Sequence, residues 1–369
     1  MPKKIIIAAI SARGYVQAAV ACGYEVISLD VFADADTRRL AAQTFRLKMR
    51  GQVVDANDFK HVFEQIDMGA IDGFLYGSLF DATPDMLDWV ASRVPLIGNS
   101  PEVMRAAKDF SFFKLLDALQ IVHPEVCLDI PEDIENWLSK KLGGSGGTHI
   151  RPANSVNKED CFLHGYYQKK HAGMPISMLF VVDGKSVRTI GFNQQYVAPM
   201  KNMPYRFAGA VSKVTLPLNI HKAFERAAQQ LTLALNLHGI NSLDAILDGE
   251  TLFILELNPR LSATFQLYEN LFPLHLQSCT DRRVENLEEN ELSRGQMILY
   301  ANGTLEIPGD FIWPDWVADI PAIISGDSSI KIAEVEPVCT VFAEAESADS
   351  AHALLLLRMQ KLREMLRYD

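Results

Sequence analysis

The chain opens with an alternation that few folds accommodate. Lys3 to Ile10 is an apolar run of the kind buried on both faces of a sheet. Arg13 to Cys22 follows with helical spacing up to Gly23, and Glu25 to Leu29 is a second apolar run closed by Asp30. Strand, helix and strand in that order predict a parallel sheet with right-handed crossovers. Similar alternation continues to about Pro95 to Gly98. The first turn, Ile10-Ser-Ala-Arg-Gly14, lacks the GxGxxG fingerprint, so no nicotinamide or flavin cofactor is expected there. The fold class is α/β, with α+β elements further along.

Ser100-Pro101-Glu102 marks a helix start, with proline at the first helical position. Helical spacing runs on through Phe112, Leu115, Leu116 and Leu119. A mixed segment from about His123 to Lys169 reads as a small lobe. Ser177 to Val182 and Ser186 to Phe192 read as strands, and about Ile220 to Leu237 as a long amphipathic helix. Short strands follow, including Gly295 to Tyr300 and Val338 to Ala343. The final helix, Ser350 to Leu366, spans only about two heptads and is expected to pack on its own domain. The division expected is 1–100, 101–170, 171–293 and 294–369.

Composition narrows the partners. A net charge of −11 argues against nucleic acid or an anionic membrane as a bulk partner. No apolar run approaches the roughly 20 residues that span a bilayer. The start, Met1-Pro-Lys-Lys, is followed by too short an apolar run for a signal peptide. Five scattered cysteines without a CxxC suit reduced thiols in a cytoplasm, and the nine histidines show no metal-ligand spacing.

Two segments carry chemistry. Thr251-Leu-Phe-Ile-Leu-Glu-Leu-Asn-Pro-Arg260 begins as a strand, on which Ile254, Glu256 and Asn258 share a face. A carboxylate, an amide oxygen and a guanidinium in sequence suit a hard cation that holds an anionic ligand. Asn241 to Leu247 reads as the partner strand, with Asp248-Gly249 as the turn signal. A two-residue Asp-Gly loop would pair Asp244 with Phe253 and face it away from Glu256. A three-residue loop over 248–250 would pair it with Ile254 and place it diagonal to Glu256, with Cβ atoms roughly 7 Å apart. The three-residue loop is expected, with one or two Mg²⁺ ions about 2.1 Å from each oxygen. On spacing alone, the alternative is a buried hairpin whose carboxylates pair with Lys or Arg.

The second segment is Lys140-Lys-Leu-Gly-Gly-Ser-Gly-Gly-Thr-His149. Its glycines free the backbone to turn N–H groups onto phosphate oxygens, although it is not a Walker A motif. From 138 to 171 the chain is locally basic (Lys140, Lys141, Arg151, Lys158, Lys169, Lys170) against Glu159 and Asp160 alone. Gly143 to Gly147 also fits GxSxG, so Ser145 with Asp244 and His275 is a rival serine-hydrolase reading. The sequence after it, His149-Ile-Arg-Pro152, does not start the required helix.

The two segments, in this order, resemble the ATP-grasp superfamily of carboxylate–amine ligases over most of the chain. The resemblance implies a Rossmann-like N-terminal domain, a two-lobed ATP module with its small lobe over 101–170, and a small C-terminal strand and helix region. Lys108-Asp109 stands where the family usually has Asp-Lys, and Gln120-Ile-Val-His-Pro124 where Gly-Ile-Pro is frequent. Lys140 precedes Gly144, Ser145, Gly146 and Gly147 as the family's second lysine precedes its phosphate-covering loop. Tyr166 to Lys170 is similar to the strand that meets adenine, with Gln168 at the adenine position. Asp244, Glu256 and Asn258 match the metal-ligand positions, and Arg260 the phosphate position.

The resemblance implies ATP and Mg²⁺, with Mn²⁺ as an alternative ion, and small-molecule carboxylate and amine substrates joined through an acyl phosphate. Lys108, Lys140, Gly144 to Gly147 and Gln168 would bind ATP, while Arg260, Lys140 and, as an anion contact, Arg206 would serve the transfer. Asp310 to Thr340 resembles ATP-grasp proteins of one-carbon, pterin- or furan-cofactor biosynthesis, which implies an amino-acid or glutamyl ligase. A homodimer is the reasonable assembly. The remaining alternative is an ATP-binding regulatory protein without catalysis.

Overall fold

The computed structural model describes residues 3–156, 165–200, 202–280, 283–285, 291–323 and 327–367. Lys158, Glu159 and Asp160 of the basic segment lie outside them.

The opening alternation folds as a five-stranded, all-parallel sheet. Its order is Gln43–Arg46, Glu25–Asp30, Lys4–Ala9, Gly73–Tyr76, Leu96–Ile97. Ile5, Ile6 and Ile7 are fully buried because helices or the neighbouring lobe cover both faces. The helix Arg13–Ala21 ends at Gly23, whose φ of +81° lets the chain reverse into the next strand. Strand order reverses beside Lys4–Ala9, and there the loops 10–14 and 77–83 open a crevice at the carboxyl ends of the strands.

Ser100 caps the next helix by accepting from the Val103 N–H, and Pro101 stands in its first turn. The expected continuous helix is two. Pro101–Lys108 stops at Asp109, which is extended (ψ 159°) and whose Oδ1 accepts from Ser111 N at 2.9 Å to start Ser111–Ala118. The break leaves Lys108 at a helix end, aimed into the cleft.

A four-stranded small sheet follows, in the order Arg151–Pro152, Trp137–Lys141, Gly165–Lys169, Val126–Cys127. The large sheet has eight strands, from Thr251–Asn258 at one edge through Ile240–Asp248, Met174–Asp183, Ser186–Val197, Phe207–Ser212, Ser293–Tyr300 and Pro337–Ala345 to Val317–Ala318. Met178, Phe180 and Val182 face the helix Leu218–Leu235 and pack with Phe224 and Leu231. Leu179 and Val181, on the opposite face, pack with Ile5, Ile7, Tyr15 and Phe272, so one core joins this sheet to the N-terminal sheet. The last helix, Ala348–Met365, packs Leu355, Met359 and Leu362 onto Leu299 and Val341.

Candidate active site

The hairpin Ile240–Asp248 and Thr251–Asn258 does not turn as expected. Asp248 pairs with Thr251, so the loop is Gly249 and Glu250, with Gly249 at φ +59° in the first loop position. That register alone would oppose Asp244 to Leu255 and put the two carboxylates on opposite faces. A β-bulge in the strand Thr251–Asn258 corrects it. The register shifts between Ala245–Ile254 and Asp244–Glu256, leaving Leu255 as the extra residue. Asp244 and Glu256 are therefore directly opposite rather than diagonal. The bulge also overturns the expected shared face, since Ile254 joins the core with Leu252 and Leu257 while Glu256 and Asn258 face the cleft.

Five further residues gather around this pair. Asn258 Nδ2 donates to Asp244 Oδ2 at 3.0 Å and to Glu256 Oε1 at 3.4 Å. Its Oδ1 accepts from Lys108 Nζ at 2.7 Å and Arg260 Nη2 at 2.9 Å. Lys108 also reaches Glu256 at 3.4 Å, and Gln195 Nε2 donates to Asp244 Oδ1 at 3.0 Å. From the N-terminal domain, Asp81 takes Arg260 bidentately at 3.1 and 2.6 Å and stands 3.6 Å from Lys108. Asp81 is 2% exposed and Arg260 7%.

The electrostatics follow from burial and neighbours. Burial raises Asp244, and the facing Glu256 charge and the hydrogen bond between the two raise it further. Burial would also raise Glu256, but Lys108, the bond to Asp244, Arg260 and Lys140 carry it below the usual carboxylate range. Burial pulls Lys140 down to about 8 against the opposing pull of Glu256 and Asp244. Burial would lower Arg260, and Asp81 more than offsets it. His149, pushed down to about 4 by burial and then by Lys140, is neutral near pH 7.

The glycine loop closes one wall. Phe207 N–H donates to Gly146 O at 2.9 Å, and Ile150 N–H to Gly147 O at 3.2 Å. Gly147 has φ +68°, and a Cβ there would lie 1.9 Å from Tyr205 O, so only glycine fits this approach. A Cβ on Gly144 would strike His149. The cleft, about 2490 Å³, is lined by Lys108, Lys140, 143–149, Arg206, Asp244, Glu256, Asn258 and Arg260 together. Gln168 is not on that lining. It is buried on Gly165–Lys169, two residues beyond Tyr166, which does line the cleft, and its Nε2 has no partner.

The donor set fits a hard divalent cation. Mg²⁺ takes one or two carboxylates and completes its shell with water and phosphate oxygens, and Asp244 and Glu256 converge on one cleft wall. Asn258 would have to present Oδ1, which here faces Lys108 and Arg260. Among the described residues no group of three His, Cys, Asp or Glu side chains forms a metal cage.

The hydrolase reading does not assemble. His275 Nδ1 accepts from Ile240 N–H at 2.9 Å, so the ring is the neutral Nε2–H tautomer, 3.2 Å from Ile97 O. It is 1% exposed and not on the cleft wall that holds Ser145. The strand Trp137–Lys141 is followed by a turn and not by a helix. Sequence reasoning missed Asp81, Gln195 and His149. Asp81 had no local signal: it follows Gly73–Tyr76, beside the point where the sheet order reverses, and that position shows only in the fold. Gln195 and His149 had none beyond their nearness to other polar residues.

Residues 106–264 match the ATP-grasp domain family. The biotin carboxylase domain of Hydrogenobacter thermophilus 2-oxoglutarate carboxylase superposes with a TM-score of 0.72 at 11% identity, covering 94% of this chain and 87% of that one. N5-carboxyaminoimidazole ribonucleotide synthetase from Thermotoga maritima gives 0.64 at 14%, covering 97% and 98%. The Staphylococcus aureus N5-carboxyaminoimidazole synthetase gives 0.67 at 13%, covering 97% and 99%. No curated protein sequence matches the chain. The matched segment contains the bulged hairpin, the glycine loop and Lys108, and it marks residues 106–264 as an ATP-grasp domain.

Proposed function

We propose that this chain is an ATP- and Mg²⁺-dependent ligase that joins a carboxylate to an amine through an acyl phosphate, with an amino-acid ligase as the narrower form. The observation that carries the reading is the Asp244–Glu256 pair, set side by side by one bulge and faced by Lys108 and Arg260. Phosphoryl transfer needs charge management more than a side-chain nucleophile, and the cleft offers cations without a competent Ser–His pair.

In this reading Asp244 and Glu256, with Asn258, would hold Mg²⁺, and the ion would supply charge neutralisation for the phosphates. Lys140 and Lys108 bind the phosphates, and Arg260, oriented by Asp81, steadies the transferred group. The loop 143–147 covers the phosphates through its N–H groups and keeps water from an intermediate that hydrolyses readily. Tyr166, on the cleft wall, would stand nearest adenine, and Gln168 would reach it only by turning out of its buried position. The H. thermophilus structure is described with MgADP, ADP and bicarbonate, which supports a nucleotide and a small oxyanion in the corresponding cleft.

Glu256→Gln tests the reading. The variant should fold, bind nucleotide and lose at least about tenfold in turnover, because the metal loses a charged ligand. Turnover equal to wild type would remove the metal assignment.

A further inference from the structure

Three arginines among the described residues are almost wholly buried, and they are not alike. Arg13 holds Asp319 at 2.8 Å and Arg260 holds Asp81 at 2.6 Å. Arg206, at 4% exposure, has no carboxylate partner among the described residues. Its guanidinium lies 3.5 Å over the Tyr300 ring, Nη1 donates to Val335 O at 3.0 Å, and Nε has no partner. Glu336, next to Val335 on the cleft wall, is engaged elsewhere, its Oε2 accepting from Ala333 N–H. A guanidinium out of water without an anion is costly, and burial lowers its pKa. Tyr300, by stacking, holds the planar fork in place.

Position separates Arg206 from the nucleotide cations. Lys108 and Arg260 meet on Asn258, and Lys140 feels the same carboxylates. Arg206 instead stands against Tyr300 and Val335, from the C-terminal part of the chain. Its neighbours carry the glycine loop, Phe207 N–H on Gly146 O and Tyr205 O against Gly147. An anion held there would fix the segment on which the loop rests.

We propose that Arg206 receives a carboxylate or phosphate borne by one of the two small-molecule substrates, at a point remote from the reacting carboxylate. The activated acid or its amine partner is then a compound with a second anionic group, and a simple monocarboxylic acid with a simple amine is a poor substrate pair. This rests on the ligase reading above, whose own failure has a different signature: no Mg²⁺-dependent ADP binding by the wild type.

The test is calorimetric titration of the MgADP-saturated protein with glutarate, 3-phosphonopropionate and butyrate. At least one dianion should bind tenfold or more tightly than butyrate. Which one leads tells carboxylate from phosphate. Arg206→Met should abolish that preference while MgADP affinity changes less than about twofold, and Arg206→Lys, which keeps the charge without the fork, should retain part of it. If Arg206→Met fails to fold by circular dichroism, Arg206→Lys and Tyr300→Leu carry the comparison. Equal binding of all three probes by the wild type overturns the proposal. So does a tenfold loss of MgADP affinity in the variant with the dianion preference intact, which would make Arg206 a nucleotide contact.

Discussion

Asp81 is the residue on which the site's charge balance turns, since one buried carboxylate answers both Arg260 and Lys108. Asp81→Asn would leave those cations without their buried counter-ion. We expect a loss of about 3–5 kcal/mol in urea unfolding, the usual cost of breaking a buried pair from one side. A loss under about 1 kcal/mol would mean the pair is not buried as described. Lys140 gives a pH prediction. Its pKa in the folded protein, about 8, is below the ordinary lysine value of 10.5. Between those values the unfolded chain binds the proton that the folded one has lost, so this group's contribution to stability rises with pH across that window. Phosphate binding runs the other way, because it needs the ammonium. MgATP affinity should fall as pH rises through about 8, and Lys140→Arg should flatten that dependence in titrations across pH 7–9.5. Lys140, Glu256, Asn258 and Arg260 were legible in the sequence because each sits in a short stretch with its own chemical grammar. Asp81 was not, because its partner is far along the chain and no local pattern announces an ion pair.

At the level of elements, the bulge at Leu255 and the glycine loop shape the cleft. A two-residue turn was foreseen as a choice, yet with Asp248-Gly249 as its loop; neither loop considered was the one formed. A bulge adds a residue without a sequence signature, since Leu255 is as good a strand residue as its neighbours. The face shared by Asp244 and Glu256 was therefore anticipated for a reason the structure replaces. Deleting Leu255 should restore uninterrupted pairing with Glu256 still opposite Asp244, so Mg²⁺-dependent nucleotide binding should survive; its loss would show that the bulge itself shapes the cleft. For the loop, Gly147→Ala places a methyl against Tyr205 O in a left-handed backbone. It should cost about 1–3 kcal/mol and expose 143–149 to proteolysis. Gly146→Ala, also at positive φ but with open space around its Cβ, should be milder. The Lys108 break was hidden for a similar reason: Phe112, Leu115, Leu116 and Leu119 keep helical spacing, and Asp109 can cap a helix as well as continue one.

Across the whole molecule, the parallel opening and the later hairpin sheet were readable from periodicity, but the way they share a core was not. Ile5, Ile7 and Tyr15 bury against Leu179, Val181 and Phe272, and Arg13 ties the first helix to Asp319. Such contacts join residues hundreds of positions apart, beyond the reach of any window of sequence. With this core shared, the N-terminal sheet should not melt separately, and calorimetry should give one transition with equal van't Hoff and calorimetric enthalpies. Two resolved transitions would show the domains to be independent. The central claim, acyl phosphate ligation in the cleft between these parts, is tested most directly by ADP release across a matrix of carboxylates, bicarbonate included, and amines with Mg²⁺. The account predicts ADP formation that requires both a carboxylate and an amine and is lost in Glu256→Gln. MgATP binding without ADP formation for any pair, or ester hydrolysis without ATP, would contradict it.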